Sequence, residues 1–389
     1  MSEWQKVNLG DCCEITSSKR IFFSEYVESG IPFYRSKEII EKGNGEEISH
    51  PLYISKEKYD EIKGKYGVPQ KGDLLLTAVG SLGIPFVVKD DLPFYFKDGN
   101  LVWLKHFQDI DPIFLYYWIK SENGYNALYN IAIGSAQKAL TIAAIKGYEI
   151  PLPPLQTQHR IANILSRYDS LIENYQKQIK LLEEAAQRLY KEWFVDLHFP
   201  GHENTNIVDG VPEGWEKKKV DSIYSIKYGK NLSTKLITET GLFPVYGANG
   251  VIGYYDKANC NEQVVLITSR GNGSGDVLVT YHKDSFITNN SFVVTPLEGY
   301  EYCKLPFTFQ FLKMANFRAV RTGAAQPQLT NQSIHTVDVV LPNRCLIEKY
   351  CAATVRMNDA IIKYREQLRL LTEARDRLLH KLMSGEITV

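Results

Sequence analysis

Apolar residues recur at alternating spacings of three and four in two stretches of the chain, and charged residues flank them. The first stripe consists of Leu165, Tyr168, Ile172, Tyr175, Ile179, Leu182, Ala186, Leu189 and Trp193. The second stripe consists of Thr354, Met357, Ile361, Tyr364, Leu368, Leu371, Arg375, Leu378 and Leu382, where only Thr354 and Arg375 interrupt the apolar seam. Heptads sustained in this way predict two long coiled-coil helices rather than single amphipathic surface helices.

The blocks that precede these two helices have a different pattern. Short β-branched or aromatic runs alternate with glycine turns, and helical segments follow at 112–120 and 306–314. The runs cover residues 74–77, 86–88, 101–104, 264–268, 277–280 and 292–295. Short strands mixed with helices in this order predict two α+β blocks.

The chain contains an internal duplication. Residues 134–194 align without a gap to residues 323–383 at an offset of 189, and 18 of the 61 positions are identical. Chance at ordinary composition gives about four identities. Earlier parts of each half match more loosely, at offsets from 190 to 212, so their loops differ in length. Each half is therefore a variable block followed by a well-matched helical tail.

One predicted helix lies in the middle of the chain and the other ends the printed sequence, so they can pair with each other. We expect an antiparallel coiled coil, because the two halves are then related by a pseudo-twofold axis. About 40 residues at a rise of 1.5 Å give a rod of roughly 60 Å. One variable block is expected near each end of that rod.

Composition narrows the class of protein only slightly. Lys and Arg number 45 and Asp and Glu number 45, and this balance argues mildly against a non-specific nucleic-acid binder. The 6 cysteines have neither CxxC spacing nor a metal-ligand pattern. The N-terminus lacks a signal-peptide pattern, and no apolar run approaches the roughly 20 residues that span a bilayer. A cytoplasmic location is expected.

Signatures of catalysis are missing from the sequence. There is no GxxxxGK[ST] loop for ATP and no Asn/Asp-Pro-Pro-aromatic motif of an amino-methyltransferase. His198 and His202 are four residues apart, but Pro200-Gly201 between them prevents the helical face that a zinc pair requires. We therefore expect no catalytic residues, no metal and no cofactor bound by this chain. A self-sufficient methyltransferase or nuclease is the interpretation that these absences disfavour.

One motif carries a family resemblance. Residues 152–162 read Leu-Pro-Pro-Leu-Gln-Thr-Gln-His-Arg-Ile-Ala, and a heptad helix that ends in Leu-Tyr-Lys-Glu-Trp-Phe at 189–194 follows them. This combination resembles the central region of the specificity subunits of type I restriction–modification enzymes. The Gly-Ser-Ala-Gln element at 134–137 is similar to one that ends their target-recognition domains. The second copy departs from the motif, with Asn-Arg-Cys-Leu at 343–346.

The resemblance implies a complete architecture of class α+β: two tandem α/β target-recognition domains, an antiparallel coiled coil and an internal pseudo-twofold duplication. The implied domains are a first recognition domain (1–152), a central spacer helix (153–199), a second recognition domain (200–341) and a C-terminal spacer helix (342–389). Each recognition domain of the family reads one half of a gapped double-stranded DNA target.

The same resemblance implies partners. Two methyltransferase subunits dock on the spacer helices, bind S-adenosylmethionine and methylate adenine. Restriction subunits add cleavage driven by ATP and Mg²⁺, and no membrane is involved. The seam residues expected to hold the coiled coil, and with it the docking surface, are Leu165, Ile172, Ile179, Leu182, Leu189, Ile361, Leu368, Leu371 and Leu378.

Candidate DNA contacts come from residues that differ between the halves, and from a local excess of positive charge. Residues 302–337 contain no acidic residue, and their local excess of positive charge favours phosphate contacts by Lys304, Lys313, Arg318 and Arg321. The other candidates are Arg35, Ser36, Ser81, Lys97, Gln137, Lys138, Asn249, Arg270, Asn272, Asn289 and Gln326. Gln137 and Gln326 recur in both halves, so a structural or backbone-contact role suits them better than base reading.

Alternatives stay open at this point. The glycine-rich tract 270–275 is either a plain β-hairpin turn or a DNA-facing loop that presents Arg270 and Asn272. The basic residues are either phosphate contacts or a solvated surface. For the whole chain, the rival interpretation is a structural adaptor whose two heads bind proteins rather than DNA.

Overall fold

A computed structural model describes residues 4–134, 138–323 and 326–389 of the chain. The chain divides into two compact units. The first unit contains residues 1–174 and 368–389, and the second contains residues 175–367. Because the two long helices contribute to both units, each unit combines a variable block with one part of the helix pair. The domain limits implied by the family resemblance stay a prediction.

Within its described residues, the first unit contains ten short strands, six short helices and its share of two long helices. The strands are β1 (Gln5–Asn8), β2 (Glu14–Thr16), β3 (Tyr26–Val27), β4 (Ile31–Tyr34), β5 (Leu52–Ile54), β6 (Leu74–Thr77), β7 (Pro85–Val87), β8 (Tyr95–Phe96), β9 (Leu101–Lys105) and β10 (Glu149–Leu152). The helices are α1 (Leu9–Cys12), α2 (Ser36–Gly43), α3 (Lys56–Tyr66), α4 (Pro112–Lys120), α5 (Glu122–Ile131), α6 (Ile142–Lys146) and the first part of α7 (Leu155–Phe194).

Two four-stranded sheets and one two-stranded ribbon organise the first unit. Their strand orders are β2-β9-β6-β7, β3-β5-β4-β8 and β1-β10. All described pairs are antiparallel except β4 with β8. The central strand β6 is buried along its whole length, as its unbroken apolar sequence predicts. The largest core lies between this sheet, helix α4 and the long helices.

The part of the second unit that the structure describes contains eleven short strands, two short helices and the remaining parts of the long helices. The strands are β11 (Ile207–Val208), β12 (Val211–Pro212), β13 (Glu216–Lys219), β14 (Tyr224–Tyr228), β15 (Phe243–Gly247), β16 (Gly250–Tyr255), β17 (Val265–Thr268), β18 (Val277–Val279), β19 (Phe286–Ile287), β20 (Ser291–Pro296) and β21 (Asp338–Leu341). The helices are α8 (Leu305–Met314), α9 (Asn331–Ile334) and α10 (Arg344–Met383), which continues into the first unit.

The sheets of the second unit repeat the topology of the first. Their strand orders are β14-β20-β17-β18, β16-β15-β19 and β13-β21, with a small β11-β12 hairpin. The parallel pair β15–β19 corresponds to β4–β8, and the ribbon β13–β21 corresponds to β1–β10. The sequence-based prediction of a duplicated α+β fold is confirmed. The units differ after β4 and β15: β4 leads into helix α2, whereas β15 turns back into β16.

Short-range signals place the predicted helices accurately. Helix α4 begins at Pro112, and the Asp111 carboxylate accepts hydrogen bonds from the backbone amides of Ile113 and Phe114 at 2.7 and 2.9 Å. A fixed φ at the first position and a side-chain acceptor before it both favour a helix start. The start of α7 is fixed by Gln158, which is fully buried and hydrogen-bonds three backbone groups, those of Asp109, Asp111 and Pro153.

The long helices α7 and α10 pack together, antiparallel, in both units. In the first unit Asp169 meets Arg375, while Leu165 and Leu382 share one core. In the second unit the ring of Tyr175 lies 5.2 Å from that of Tyr364, and the ring of Tyr190 lies 5.8 Å from that of Tyr350. Partner numbers fall along α10 as they rise along α7, so the predicted antiparallel coiled coil is confirmed.

The two residues that interrupt the predicted seam are both accommodated. Thr354 is buried and donates its hydroxyl hydrogen bond to the backbone carbonyl of Tyr350 at 2.8 Å. Arg375 forms an ion pair with Asp169 at 2.6 Å. Both polar groups are therefore satisfied inside the helix pair, which makes them tolerable in a half-buried seam.

Candidate nucleic-acid interface

Four segments of the second unit meet and form one cluster of loops. We call residues 248–249, 269–276, 288–290 and 321–329 the second loop cluster, of which residues 324–325 lie outside the described part. Small buried side chains tie it together: the hydroxyl of Thr268 donates to the carbonyl of Ala248 at 2.6 Å, and that of Ser269 donates to the carbonyl of Asn289 at 3.2 Å. Both residues are fully buried, so these hydrogen bonds hold the loops rigidly rather than facing solvent.

The first unit contains a corresponding cluster. We call residues 35–36, 78–84, 97–100 and 132–140 the first loop cluster, of which residues 135–137 lie outside the described part. The hydroxyl of Ser36 donates to the carbonyl of Asn100 at 3.2 Å. Val79 and Ala139 form an antiparallel bridge, as Arg270 and Gln328 do in the second unit. The same connections are therefore made in both halves of the duplication.

Five backbone hydrogen bonds recur between the two clusters. In the first unit the amide-to-carbonyl pairs are Leu140 to Ala78, Ala78 to Asn100, Thr77 to Ile84, Gly83 to Thr77, and Lys97 to Tyr34. In the second unit the pairs, in the same order, are Leu329 to Ser269, Ser269 to Asn290, Thr268 to Asp276, Gly275 to Thr268, and Thr288 to Tyr246. A common backbone frame thus carries loops of different sequence.

Glycines give the central loop of each cluster its shape. The β6–β7 loop has Gly80 and Gly83 at φ of +81° and +74°, and the β17–β18 loop has Gly271 and Gly275 at +84° and +89°. These backbone conformations are strained for other residues. Strands β17 and β18 pair antiparallel, so tract 270–275 is the predicted hairpin loop. A role in facing DNA remains a proposal.

The repeated Gly-x-x-x-x-x-Leu-Thr element, at 134–141 and 323–330, now has a structural explanation. Leu140 and Leu329 are buried in the cores of their units. The hydroxyls of Thr141 and Thr330 cap the short helices α6 and α9 by accepting a backbone amide hydrogen bond at 3.1 Å in both units. Burial and capping account for the recurrence of these two residues without any ligand.

The second loop cluster contains most of the candidate residues of its unit, and Arg318 contacts it through Asp276. Asn249, Arg270, Asn272 and Gln326 are exposed, while Asn289 is half-buried. The guanidinium of Arg318 binds Asp276 at 2.6 Å, and that of Arg321 donates to the backbone carbonyl of Asn272 at 3.3 Å.

The first loop cluster gathers its candidates as well. Ser81 is exposed at the β6–β7 loop, and Lys97 is half-buried beside β8. The ammonium group of Lys138 lies 3.6 Å from the ring centroid of Tyr129 and donates to that residue's carbonyl at 3.3 Å. Gln137 lies outside the described residues.

Arg35 is committed to an internal partner. It precedes helix α2, and its guanidinium binds the carboxylate of Glu38, a side chain that is only 1% exposed. Burial raises the pKa of Glu38, but the hydrogen bonds from the side chain and the backbone of Arg35 outweigh burial, so the pKa is lowered. The carboxylate is therefore charged, and it holds Arg35 by charge-assisted hydrogen bonds.

Sequence reasoning missed two groups of residues in these clusters. Tyr125 and Tyr129 stack four residues apart on α5, 45% and 43% exposed, beside Lys138. Lys230 is exposed, and its carbonyl accepts a hydrogen bond from the Asn289 amide at 3.1 Å. Lys19 precedes Lys230 by 211 residues, the offset that also separates Trp4 from Trp215, so the repeat itself contained a signal for this lysine.

The predicted seam residues of the long helices face inward to varying degrees. Leu165, Ile179 and Ile361 are buried, and the other six are half-buried. The exposed apolar residues of these helices lie off the seam: Leu155, Leu171 and Leu370 in the first unit, and Leu181 and Val355 in the second. The sequence pattern thus located the helix–helix contact, but not the apolar groups that remain accessible.

Within the described residues, no group of three or more His, Cys, Asp and Glu side chains could hold a metal ion. The same part of the chain has no helix that is long and apolar enough to cross a membrane.

Comparison with known proteins defines the class to which this fold and these loops belong. A family model described as the type I restriction modification DNA specificity domain matches residues 1–184 and 212–345. The chain therefore belongs to the family of type I restriction–modification DNA specificity proteins, and the family prediction is confirmed.

Individual relatives agree with this assignment. The chain is 26% identical to the type I restriction enzyme MjaIX specificity subunit of Methanocaldococcus jannaschii, over 82% of this chain and 78% of the relative. It is 23% identical to the putative MjaX specificity subunit of the same organism, over 100% of this chain and 94% of the relative. A type I restriction-modification S subunit from M. genitalium has the same fold, with a TM-score of 0.62, 21% identity and coverage of 97% and 96% of the two chains.

Proposed function

We propose that this chain is the DNA-recognition subunit of a type I restriction–modification complex. Each loop cluster reads one half of a bipartite, gapped target in double-stranded DNA. The observation that carries this proposal is the recurrence of one backbone frame with different loop side chains in two units of a specificity-family protein. A constant frame with variable loops suits a reader whose two heads recognise different base sequences.

The side chains in the loops have the chemistry that base reading requires. Asparagine amides form paired hydrogen bonds with adenine, and arginine does so with guanine in the major groove. The second cluster presents Asn249, Arg270 and Asn272, while the first presents Ser81 and Lys97. Since the two sets differ, the two half-sites should differ in sequence.

Contacts to the DNA backbone come from the cations around the second cluster. Arg318 and Arg321 lie in the acid-free stretch 302–337, and the side chain of Arg318 is 62% exposed in its ion pair with Asp276. An exposed ion pair of this kind contributes little to stability, so a phosphate can replace the carboxylate at low cost. Release of counterions from the DNA then favours binding at low salt.

The long helices serve as spacer and as docking site in this proposal. A rigid spacer between two readers fixes the separation of their half-sites, as it does in dimeric repressors. We assign the docking of two methyltransferase subunits to these helices, which leave Leu171 and Leu370 exposed in the first unit and Leu181 and Val355 exposed in the second.

Catalysis belongs to the partners. The methyltransferase subunits bind S-adenosylmethionine and accept an adenine flipped out of the duplex. The restriction subunits use ATP and Mg²⁺ for cleavage. This chain supplies no catalytic residue, and the complex acts in the cytoplasm, where the DNA is.

Long-read mapping of methylated adenine tests the proposal. Cells that express the methyltransferase subunit encoded beside this chain are compared with and without the chain. We expect a gapped, two-part adenine motif only when the chain is present. A motif that is present without this chain, or no motif from a well-folded complex, would contradict the proposal; the second result would favour the adaptor interpretation.

A further inference from the structure

Each unit has an arginine, a carboxylate and a tyrosine in contact on the helix pair. In the first unit the guanidinium of Arg375 in α10 binds the carboxylate of Asp169 in α7 at 2.6 Å. The hydroxyl of Tyr117, from helix α4, donates to the same carboxylate at 2.7 Å. The side chains of Arg375 and Asp169 are only 15% and 21% exposed, and Tyr117 is buried. This group joins both long helices to the sheet-bearing part of the unit.

The second unit has an analogous group built from other positions. The guanidinium of Arg365 in α10 binds the carboxylate of Glu183 in α7 at 2.7 Å. It also lies 3.6 Å from the ring centroid of Tyr281, a residue that follows strand β18. The hydroxyl of Tyr281 donates to Glu183 at 3.5 Å, and burial raises the pKa of that hydroxyl to about 12. The phenol is therefore a donor throughout the physiological pH range.

The duplication does not account for these two groups. The residues 189 positions away from Asp169 and Arg375 are Asn358 and Ala186. Those that correspond to Glu183 and Arg365 are Thr372 and Gln176. Neither ion pair has a counterpart in the other half, so each is a feature of its own unit and not a remnant of a shared ancestor.

The first ion pair is the more buried of the two, since the side chains of Arg365 and Glu183 are 34% and 40% exposed. Burial of such groups, even in part, is costly, and it has a known structural use. An apolar heptad seam looks nearly the same after a slip of seven residues, whereas a buried polar group finds its partner in one register only. A slip of one heptad moves a helix by about 10 Å. With a rise of about 3.4 Å per base pair, that is roughly three base pairs of DNA.

We propose that the Arg375–Asp169–Tyr117 and Arg365–Glu183–Tyr281 groups fix the register of α7 against α10 and the seating of each recognition domain on them. Through that geometry they set the number of base pairs tolerated between the two half-sites. The six residues are positioning residues; they read no base. The inference rests on the proposed function, since a gap exists only if the chain reads a bipartite target.

The test measures gap tolerance separately from half-site recognition. The full chain, assembled with its methyltransferase subunits, is titrated with duplexes that contain both mapped half-sites and gaps changed by one base pair at a time, from three fewer to three more. Arg375→Met and Arg365→Met remove the ion pairs and retain much of the side-chain volume. Arg188→Met is the matched control, because Arg188 is 83% exposed and its partner Glu184 lies on the same helix at 3.7 Å.

For wild type and Arg188→Met we expect one preferred gap. For Arg375→Met and Arg365→Met we expect the preference for that gap over its neighbours to fall at least tenfold, while the mapped half-site bases stay the same. Exchange of the charges, Glu183→Arg with Arg365→Glu, restores an ion pair in the same register and should recover gap selectivity. Tyr117→Phe and Tyr281→Phe remove one hydroxyl each. If an arginine variant does not fold, the gap selectivity of these two variants tests the inference instead.

Two outcomes would overturn the inference and leave the proposed function standing. In the first, the folded variants keep the gap selectivity of wild type. In the second, they lose affinity equally for every gap, which is the mark of a purely structural role. If the wild type shows no gapped site at all, the proposed function itself fails and this inference falls with it.

Discussion

The two loop clusters share a backbone frame but differ in the element that comes after the same strand. In the first unit β4 leads into helix α2, and Arg35 at the junction is held by the buried carboxylate of Glu38. In the second unit β15 turns back into β16, and Asn249 at the turn is exposed. Two polar residues at corresponding places therefore have different freedom to meet a ligand. The position of a side chain in a candidate interface does not by itself make it free to bind a ligand. Its hydrogen bonds and ion pairs within the protein also determine whether it can do so.

The arginines of the two clusters show the same difference. Arg35 pairs with a carboxylate that is 1% exposed, whereas Arg318 pairs with Asp276, which is 42% exposed. Removal of Arg35 leaves a charge buried without compensation, whereas removal of Arg318 leaves one that water can solvate. We therefore expect the loss of Arg35 to affect the stability of the first unit more than the loss of Arg318 affects that of the second, and we expect Arg318 to be the better DNA contact of the two under the proposed function.

The largest expected effect is on stability. Arg35→Ala should reduce the free energy of unfolding by at most about 3 kcal/mol, since it removes the half-exposed partner of a carboxylate that is itself buried. Arg318→Ala should reduce it by less than about 1 kcal/mol. Urea denaturation followed by circular dichroism measures both. The control Arg35→Met with Glu38→Leu removes both charges and should recover most of the loss; equal effects of the two single substitutions would break the comparison.

The arginines near the second cluster, whose loss should change stability little, should have a large effect on DNA affinity. Arg318→Ala with Arg321→Ala should weaken binding of a mapped target by roughly 30-fold and lower the slope of log affinity against log salt by about one for each phosphate that is no longer neutralised. Fluorescence anisotropy over a range of salt concentrations measures both quantities. Arg188→Ala is the matched control, because Arg188 is an 83% exposed arginine of α7 that lies outside the loop clusters. Unchanged affinity and slope in the double variant would remove both arginines from the interface.

A smaller effect is expected on base selectivity, where a substitution in one cluster should change only one half-site. Asn272→Ala should relax one base position in one half of the motif, by about 1–3 kcal/mol of discrimination, and leave the other half unchanged. Ser81→Ala with Lys97→Ala should affect the other half only. Methylation mapping of cells that carry each variant reports both halves at once. Changes in both halves from a single cluster would mean that the clusters do not read independently.

Sequence alone predicted the regular features of this molecule because they follow from periodicity. The heptad stripes located α7 and α10, and the offset of 189 aligned Leu140 with Leu329 and Thr141 with Thr330, two pairs that are buried or cap a helix in the same way in both units. Strand β6 and helix α4 begin and end where their patterns predict.

The contacts that decide the role of each polar residue could not be predicted in this way. Asp169 and Arg375 are 206 residues apart, and no local pattern connects them. Glu38 is three residues from Arg35, a spacing equally typical of exposed helix pairs, so its burial was not visible in the sequence. Long-range packing determines both the Asp169–Arg375 contact and the burial of Glu38. Such packing cannot be predicted from a single sequence without the fold.

The smallest expected effect concerns pH and sharpens the assignment of Arg35. The folded-state pKa of Glu38 is lowered, so the folded protein holds this proton less tightly than the unfolded chain does. The stabilisation is therefore present above the unfolded pKa of about 4.3 and is lost as the pH falls through the folded value. Glu38→Gln should remove this contribution, so the unfolding free energies of wild type and variant should differ most above a pH of about 4.3 and converge below it. Arg35→Met with Glu38→Leu, which lacks the pair, should vary with pH as Glu38→Gln does. Denaturation at a series of pH values measures the difference, and a wild-type advantage that grows with acidity would show that Glu38 is not held as a charged partner.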